Sequence, residues 1–171
     1  MKRILLDKVA RIVKAKNKLE SELNIKISNR GKEFTIDGEA EEEYIAEKVL
    51  DALNLGFPLS IALLIKQEDY LFEIISIKDH TKRHDLERIR ARIIGTKGGT
   101  LATLSQLTKC FFEIKDNEVG IIGDAEYIEN AQEAIISLIR GAKQANVYAG
   151  LEKNQPKPIG DLGLREKKVK L

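Results

Sequence analysis

Residues Ile93 to Thr100 read IIGTKGGT, which places three glycines between two segments whose apolar residues repeat at helical spacing. Three glycines in five residues hold a helix poorly, so we expect a break from Gly95 to Gly99. The flanking segments, Asp85 to Ile94 and Thr100 to Thr108, each begin with a residue type that caps helices. The stretch therefore predicts two helices, capped by their first residues and joined by a glycine-rich turn.

A Gly-x-x-Gly turn between two helices is suited to holding a sugar-phosphate chain. Glycine has no Cβ, so the backbone of another molecule can approach it closely. The helix that follows directs free N–H groups and its positive end towards a phosphate. Lys97 adds a positive charge at the tip of the turn. The pattern favours binding to the backbone of about four nucleotides.

Two other glycine motifs do not fit this spacing. A P-loop has Lys followed by Ser or Thr after its last glycine, whereas Lys97 precedes Gly98 here. A dinucleotide fingerprint needs Gly-x-Gly-x-x-Gly directly after a strand, and that pattern is absent. The motif alone is equally consistent with a glycine-rich turn that binds no ligand. The surrounding order of elements and the internal repeat described below count against that alternative.

The elements around the turn give it a context. Leu71 to Lys78 is rich in Ile and Phe and predicts a strand before the first helix. Two short strands, Phe111 to Lys115 and Val119 to Ile122, follow the second helix around a tight turn. A long helix with one apolar stripe opens after Gly123. The predicted order is β-α-α-β-β-α.

The first half of the chain resembles the second half in three blocks that come in the same order. The pairs are Ala10–Asn17 with Ala91–Gly98, Ile25–Ile27 with Phe112–Ile114, and Gly38–Gly56 with Gly123–Gly141. Self-similarity of this kind indicates duplicated units. We therefore predict two copies of one domain.

The first copy follows the same order in shortened form. Its predicted strands are Ile4–Leu6, Ile25–Ser28 and Glu33–Ile36, and its predicted helices are Lys8–Lys14, Lys18–Leu23 and Glu39–Leu55. Lys14 to Asn17 stands where the second copy has its Gly-x-x-Gly, and both glycines are gone. Without them close backbone approach is lost. We expect the first copy to act as a scaffold or a protein-contact surface.

These patterns divide the chain into four parts. The first domain covers residues 1–56 and the second covers 69–150, with an apolar helical connector at 57–68 that we expect to pack between the copies. Residues 151–171 form a polar, basic tail that we expect to be partly disordered.

The charge of the chain is distributed unevenly. The 171 residues contain 29 Lys and Arg against 27 Asp and Glu, for a net charge of only +2. Met1 to Lys18 and His80 to Lys109 are strongly basic, whereas Glu33 to Asp51 carries eight acidic residues and one basic one. The net charge is near zero because these basic and acidic segments offset each other. The basic run around the glycine turn favours contact with nucleic acid.

Other totals exclude several classes of protein. A single cysteine, Cys110, rules out an internal disulfide, and one Cys with two His residues cannot form a Cys/His zinc site. We expect Cys110 to be a core thiol. No catalytic constellation stands out, so we expect neither enzymatic activity nor a cofactor. The short apolar runs predict no signal peptide and no membrane span, and thus a cytoplasmic protein.

Four parts of the sequence resemble one known family. They are Arg92–Thr100, Phe111–Gly123, the helix ending at Arg140-Gly141, and Asn146-Val147-Tyr148. The family is the archaeal and eukaryotic two-KH-domain protein of small-subunit ribosome assembly, of the Dim or Pno type. The resemblance implies an α+β fold of two tandem type I KH domains, each a three-stranded antiparallel sheet with helices packed on one face.

The resemblance also implies partners. Members of the family bind single-stranded RNA near the 3′ end of small-subunit rRNA and contact the Nob endonuclease that matures this end. Archaeal members are linked to the alpha subunit of translation initiation factor 2. The RNA-binding loop of the family falls on Gly95 to Gly98 of this chain. This sequence departs from some archaeal relatives because it lacks a first Gly-x-x-Gly.

Our main hypothesis is a non-catalytic RNA-binding assembly factor that clamps single-stranded rRNA through its second domain. The loop would hold phosphates, Arg88, Arg92 and Lys97 would supply charge, and an aliphatic groove would hold bases. The predicted RNA-binding residues are Gly95, Thr96, Lys97, Gly98, Gly99, Arg88, Arg92, Ile94, Leu101 and Leu104. The alternative is a protein-interaction module for a ribosome-assembly or translation-initiation protein, suggested by the acidic stretch and the degenerate first copy.

Overall fold

Two three-stranded antiparallel sheets organise residues 1–155, the part of the chain that the computed structural model describes. Most of the predicted basic tail lies outside the described residues. In the sheet of the first domain, the third strand along the chain lies between the first and the second. The strands are β1 (Lys2–Leu5), β2 (Lys26–Arg30) and β3 (Glu33–Asp37), and the helices are α1 (Val9–Leu23) and α2 (Ala40–Leu55). The connector contains α3 (Leu59–Ala62) and a 3₁₀ turn (Leu63–Lys66).

The second domain has the order predicted from its sequence, and the last of its three strands lies between the other two in the sheet. Its strands are β4 (Tyr70–Ser76), β5 (Phe111–Lys115) and β6 (Glu118–Asp124). Its helices are α4 (Leu86–Ile94), α5 (Gly99–Thr108), α6 (Ala125–Ile139) and α7 (Gln144–Lys153). Asp124 caps α6 by accepting a hydrogen bond from the Glu126 N–H.

The prediction of two helices at the start of the first domain is wrong. Residues Val9 to Leu23 form one continuous helix, since Lys14 to Asn17 contains no glycine or proline to interrupt it. Ile12, Leu19 and Leu23 are buried along one stripe of this helix. The first domain therefore has no turn where the second domain has its glycine loop.

The predicted end of the second domain at residue 150 is also wrong. Helix α7 continues to Lys153, and Val147 and Leu151 pack into the core of the second domain. Only Val147 and Leu151 are buried along α7, and the rest of the segment is mostly small or polar. The sequence therefore shows little of the apolar periodicity that predicts a helix. The chain thus adds one helix to the predicted β-α-α-β-β-α order.

The sheet of the second domain is covered on both faces. Ile75 and Val119 face the helices of their own domain, where Ile93, Leu104 and Ile135 complete the core. On the opposite face, the paired residues Phe72, Ile122 and Phe111 belong to the core of the first domain. That core also includes Leu55 and Phe57, so the connector packs between the two copies, as its apolar sequence predicted.

Gly120 lies where the first domain and the connector pack tightly against this sheet. A Cβ at residue 120 would lie 2.9 Å from Cε2 of Phe57 and closer still to Cδ2 of Leu55. The rings of Phe57 and Phe72 meet edge to face, with centroids 6.1 Å apart. Such packing leaves no space for a side chain at residue 120.

Polar contacts fix the rim of this interface. The Asn54 side-chain oxygen accepts hydrogen bonds from the backbone N–H groups of Asp7, at 2.8 Å, and Lys8, at 3.1 Å. Lys115 of β5 reaches Asp7 at 3.2 Å and the Asn54 carbonyl at 3.3 Å. The ammonium of Lys115, followed by that of Lys32, lowers the pKa of the Asp7 carboxyl. The two domains therefore meet through an apolar centre and a charged rim.

Asp51 makes the stability of this interface depend on pH. Burial, followed by the charges of Glu47 and Glu118, raises the pKa of Asp51 to about 6, well above the ordinary value of an aspartate. The folded state holds the proton more tightly than the unfolded chain, so stability is lost as pH rises from about 4 to about 6. Allowing for solvent screening, this loss is about 1 kcal/mol.

We expect Asp51→Asn to be more stable than wild type by about 1 kcal/mol at pH 7.5 and equal to it at pH 4, because the amide cannot ionise. Urea unfolding of both proteins at the two pH values measures this difference. Comparing the two proteins at each pH cancels the titration of other groups. A gain that is the same at both pH values would contradict the role of Asp51 ionisation.

Candidate nucleic-acid interface

The glycine loop between α4 and α5 has an unusual backbone. Helix α4 ends where the Gly95 N–H donates to the Ala91 carbonyl at 2.8 Å and the chain turns to φ +76°, ψ 174°. Lys97 and Gly98 also have positive φ values, of 54° and 73°. The Gly98 N–H closes the turn by donating to the Gly95 carbonyl at 3.2 Å. The loop is a single tight turn that leaves Thr96 and Lys97 exposed at its tip.

The glycines of this loop have different roles. A Cβ at residue 95 would come within 2.6 Å of the backbone nitrogen of Thr100 and closer still to its hydroxyl oxygen. By contrast, a Cβ at Gly98 or Gly99 would meet nothing within 4 Å. Gly95 is required for the fold of the loop, whereas Gly98 and Gly99 leave the backbone open to an approaching molecule.

Helix α5 begins at Gly99, and Gly98 occupies the N-cap position. The prediction that Thr100 caps this helix is wrong, since Thr100 lies inside its first turn and is only 6% exposed. No side chain caps the helix. Free backbone N–H groups and the positive end of the helix dipole therefore lie at the loop, beside exposed Lys97. This arrangement attracts an anion such as a phosphate.

The two predicted arginines are in different environments. The Arg92 guanidinium donates to the carbonyls of Leu138, at 3.4 Å, and Ala142, where α6 ends. It therefore joins α4 to the segment between α6 and α7. Arg88 is exposed and, within residues 1–155, has no ion-pair partner. Arg88 is available to a ligand, whereas Arg92 has a structural role.

The three residues predicted to line a groove differ in their exposure to solvent. Ile94 is 37% exposed, and Leu101 is half-buried at the side of α5. Leu104 is 0% exposed, so its assignment to a groove is wrong. Thr100, Leu104 and Thr108 form the inward stripe of α5 at i, i+4 spacing, which directs Leu104 into the core.

Leu101 lines a mostly apolar groove between the connector and the second domain, which we call the connector groove. Its volume is about 280 Å³. The lining residues are Phe57, Pro58, Ile61, Leu101, Ala102, Ser105, Phe111, Phe112 and Glu113. The connector side of this groove was missed from the sequence, because its formation depends on how the two domains pack.

A second cavity lies beside the loop, between α4, α5 and α7, and we call it the α7 cavity. It has a volume of about 600 Å³ and is open to solvent. Its lining residues are Arg88, Ala91, Arg92, Gly95, Thr96, Gly99, Thr100, Thr103, Gln144 and Tyr148. The sequence did not predict this cavity, because α7 itself was not predicted.

Several basic side chains of the first domain make contacts within the protein. Arg11 donates to the Phe57 carbonyl at 2.7 Å, and Lys2 pairs with Glu47. Lys14 and Lys18 remain exposed along α1. The basic run of the first domain is therefore partly used for packing, whereas Lys97 and Arg88 lie exposed at the loop of the second domain.

Other kinds of site find little support in the described part of the chain. No three His, Cys, Asp or Glu residues within 1–155 come together as a metal-binding group. Burial raises the pKa of Cys110 to about 11, which confirms the expected core thiol. Among the helices of residues 1–155, none combines the length and the apolar character needed to cross a membrane.

Residues 71–156 match a known family of domains, the eukaryotic-type KH domain, or type I KH domain. The matched segment includes the loop, the sheet and the helices of the second domain. A type I KH domain binds RNA through a Gly-x-x-Gly loop between two helices. The matching family therefore has the geometry observed from α4 to α5.

Several known proteins are similar to most of the chain. A KH domain-containing protein of Methanocaldococcus jannaschii is 30% identical over 149 residues, which are 83% of this chain and 66% of the relative. The pre-rRNA-processing protein pno1 of Emericella nidulans is 34% identical over 143 residues, which are 80% of this chain and 55% of the relative. The chain spans between half and two thirds of the length of these relatives.

Solved structures show the same arrangement of two domains. Dim2p of Pyrococcus horikoshii superposes with a TM-score of 0.82 at 26% identity and covers 89% of this chain and 98% of its own. A chain from the complex of a/eIF2alpha, aDim2p and rRNA of the same organism superposes with a TM-score of 0.81 at 27% identity, over 89% of this chain and 92% of its own.

Proposed function

Because this chain belongs to the Pno1/Dim2 family of type I KH-domain proteins, we propose that it is a non-catalytic RNA-binding factor of small-subunit ribosome assembly. The observation that carries the proposal is the loop. Gly98 and Gly99 leave its backbone open, and Lys97 lies exposed at the positive end of α5. Family membership and loop geometry point to the same chemistry.

The loop and its surroundings suit a single strand of RNA. Phosphates would lie against Gly98 and Gly99, where no side chain obstructs them, with Lys97 and Arg88 as charge partners. Unpaired bases would enter the connector groove beside Leu101. Bases inside a duplex cannot reach such a groove, so the arrangement favours unpaired RNA.

The RNA and the partners are inferred from the relatives. We infer that the RNA is small-subunit rRNA near its 3′ end and that the protein also meets the alpha subunit of translation initiation factor 2. The Pyrococcus horikoshii complex of a/eIF2alpha, aDim2p and rRNA supports contact with rRNA and with this subunit, whereas the 3′ end of the small-subunit rRNA is inferred from the family resemblance. Contact with a Nob-family endonuclease and a cytoplasmic location remain predictions made from the sequence.

The salt dependence of binding tests the proposal. If the clamp neutralises two to four phosphates of a single strand, log K should fall with log salt concentration at a slope of about −1.4 to −2.8. Affinity would then drop about 7- to 50-fold between 50 and 200 mM salt. Fluorescence anisotropy with a labelled single-stranded oligonucleotide measures this slope. Salt-independent binding, or equal affinity for a duplex of the same sequence, would contradict the clamp.

A role as a protein-interaction module is the second candidate. Glu39 and Glu41 lie exposed at the start of α2, whereas Glu43 is paired with the amino terminus at 2.6 Å. This acidic surface suits a basic protein segment. Pull-down from a cell extract with and without nuclease separates the two functions, because partners bridged by RNA disappear after digestion and direct protein partners remain.

A further inference from the structure

The α7 cavity and the connector groove take residues from opposite sides of α5, and the proposed function places no base in the α7 cavity. We propose that it holds one further nucleotide of the bound strand, with the base against Tyr148. This inference rests on the proposed function, because the clamp must bring RNA to the loop. It adds a base-binding residue from α7, outside the residues that the sequence predicted.

Tyr148 is held in a fixed position. Val147 and Leu151 anchor α7 in the core of the second domain. Gln144 donates from Nε2 to the Arg92 carbonyl at 3.5 Å, and Arg92 in turn donates to Leu138 and Ala142. Helix α7 is thereby tied to α4, so the aromatic ring is preorganised beside the loop.

The lining of the cavity suits a nucleotide. Tyr148 is partly buried, packs against the core and lines the cavity, and its phenol has no hydrogen-bond partner within residues 1–155. Arg88 contributes a positive charge, and no acidic side chain belongs to the lining. The volume of about 600 Å³ lies within the range of small-ligand sites. An aromatic ring beside a cation is the combination on which unpaired bases stack.

The cavity is continuous with the phosphate site. Gly95, Thr96 and Gly99 belong both to the loop and to the lining of the cavity. A strand whose phosphates lie on the loop has two directions in which to continue. One leads towards the connector groove beside Leu101, and the other leads into the α7 cavity. A base in each direction would orient the strand across the clamp.

The absence of tryptophan from the chain allows a direct test, since Tyr148→Trp introduces a single indole. A base stacked on residue 148 should quench its fluorescence by at least about half on titration with single-stranded RNA. Tyr44→Trp is the matched control, because Tyr44 lies exposed on α2 of the first domain and should show no change. Quenching that is equal in the two variants would overturn the proposal.

Affinity measurements locate the base. We expect Tyr148→Leu to weaken binding about tenfold, because it removes the ring, and Tyr148→Phe to stay within about twofold of wild type, because it keeps the ring. Oligonucleotides with one abasic position, moved along the strand, should show a position at which base removal weakens wild type but not Tyr148→Leu. If no position shows this dependence, the base does not lie on Tyr148.

Failure of this inference can be distinguished from failure of the proposed function. If changes in the loop abolish binding while Tyr148→Leu binds as wild type and Tyr148→Trp is not quenched, the clamp stands and the subsite is wrong. If changes in the loop leave binding intact, the proposed function fails and the subsite fails with it. Urea unfolding of Tyr148→Leu and Tyr148→Phe shows whether both variants fold, since the ring also contributes to packing.

Discussion

The double variant Thr96→Asp/Lys97→Asp is expected to bind single-stranded RNA at least about 100-fold more weakly than wild type, because it places two negative charges beside the phosphates. Its stability should remain within about 0.5 kcal/mol of wild type, since both side chains are exposed. Residue 97 has φ 54°, a conformation that Asp tolerates. Fluorescence anisotropy and urea unfolding measure the two quantities.

The first domain provides a matched control for this variant. Asn17→Asp/Lys18→Asp makes the same change in net charge at two exposed positions of α1, near the place where the loop is missing. We expect its affinity to fall less than about fivefold, through the general field of the protein. If the two double variants lose equal affinity, binding depends on total charge, and the assignment of the clamp to the loop is wrong.

The loop itself could be predicted from the sequence because its cause is local. Three glycines within five residues hold a helix poorly, and Lys97 lies exposed at the tip of the turn that interrupts it. The same local argument applies to the first copy, where the missing glycines remove the cause of a break. The error there was to keep the break after its cause had disappeared, since α1 runs through it without interruption.

The surroundings of the loop could not be predicted in the same way. Leu101 and Leu104 both fit the apolar spacing of α5, yet Leu104 points into the core and Leu101 lines a groove. Their difference in exposure depends on the sheet and connector that pack against α5. The spacing of apolar residues along a helix identifies an apolar stripe. Which edge of that stripe is exposed to solvent depends on the elements that pack against the helix.

Long-range packing also determined the roles of Arg92 and Tyr148. Nothing local distinguishes Arg92 from Arg88, but the end of α6 lies within reach of Arg92 and converts it into a structural residue. Tyr148 lies beside the loop because α7 packs next to α4 and α5. The residues of the proposed phosphate clamp are therefore set by local sequence, whereas the two cavities proposed for bases are formed by tertiary structure.

Gly95→Ala is expected to lower the free energy of unfolding by about 2–4 kcal/mol, because two costs act at one residue. The conformation at φ +76°, ψ 174° is open almost exclusively to glycine, and the added Cβ would meet the backbone and the side chain of Thr100. The loop would have to move to relieve this contact, so RNA binding should weaken as well. Urea unfolding and fluorescence anisotropy measure both effects.

Gly98→Ala is the matched control, with an expected cost of about 1 kcal/mol. At φ 73° an alanine pays only the strain of the left-handed region, and the added Cβ would lie in open space. Adding Thr100→Ala to Gly95→Ala should recover only part of the lost stability, because the backbone nitrogen of Thr100 would still lie 2.6 Å from the new Cβ. Equal losses for Gly95→Ala and Gly98→Ala would show that crowding by Thr100 does not shape the loop.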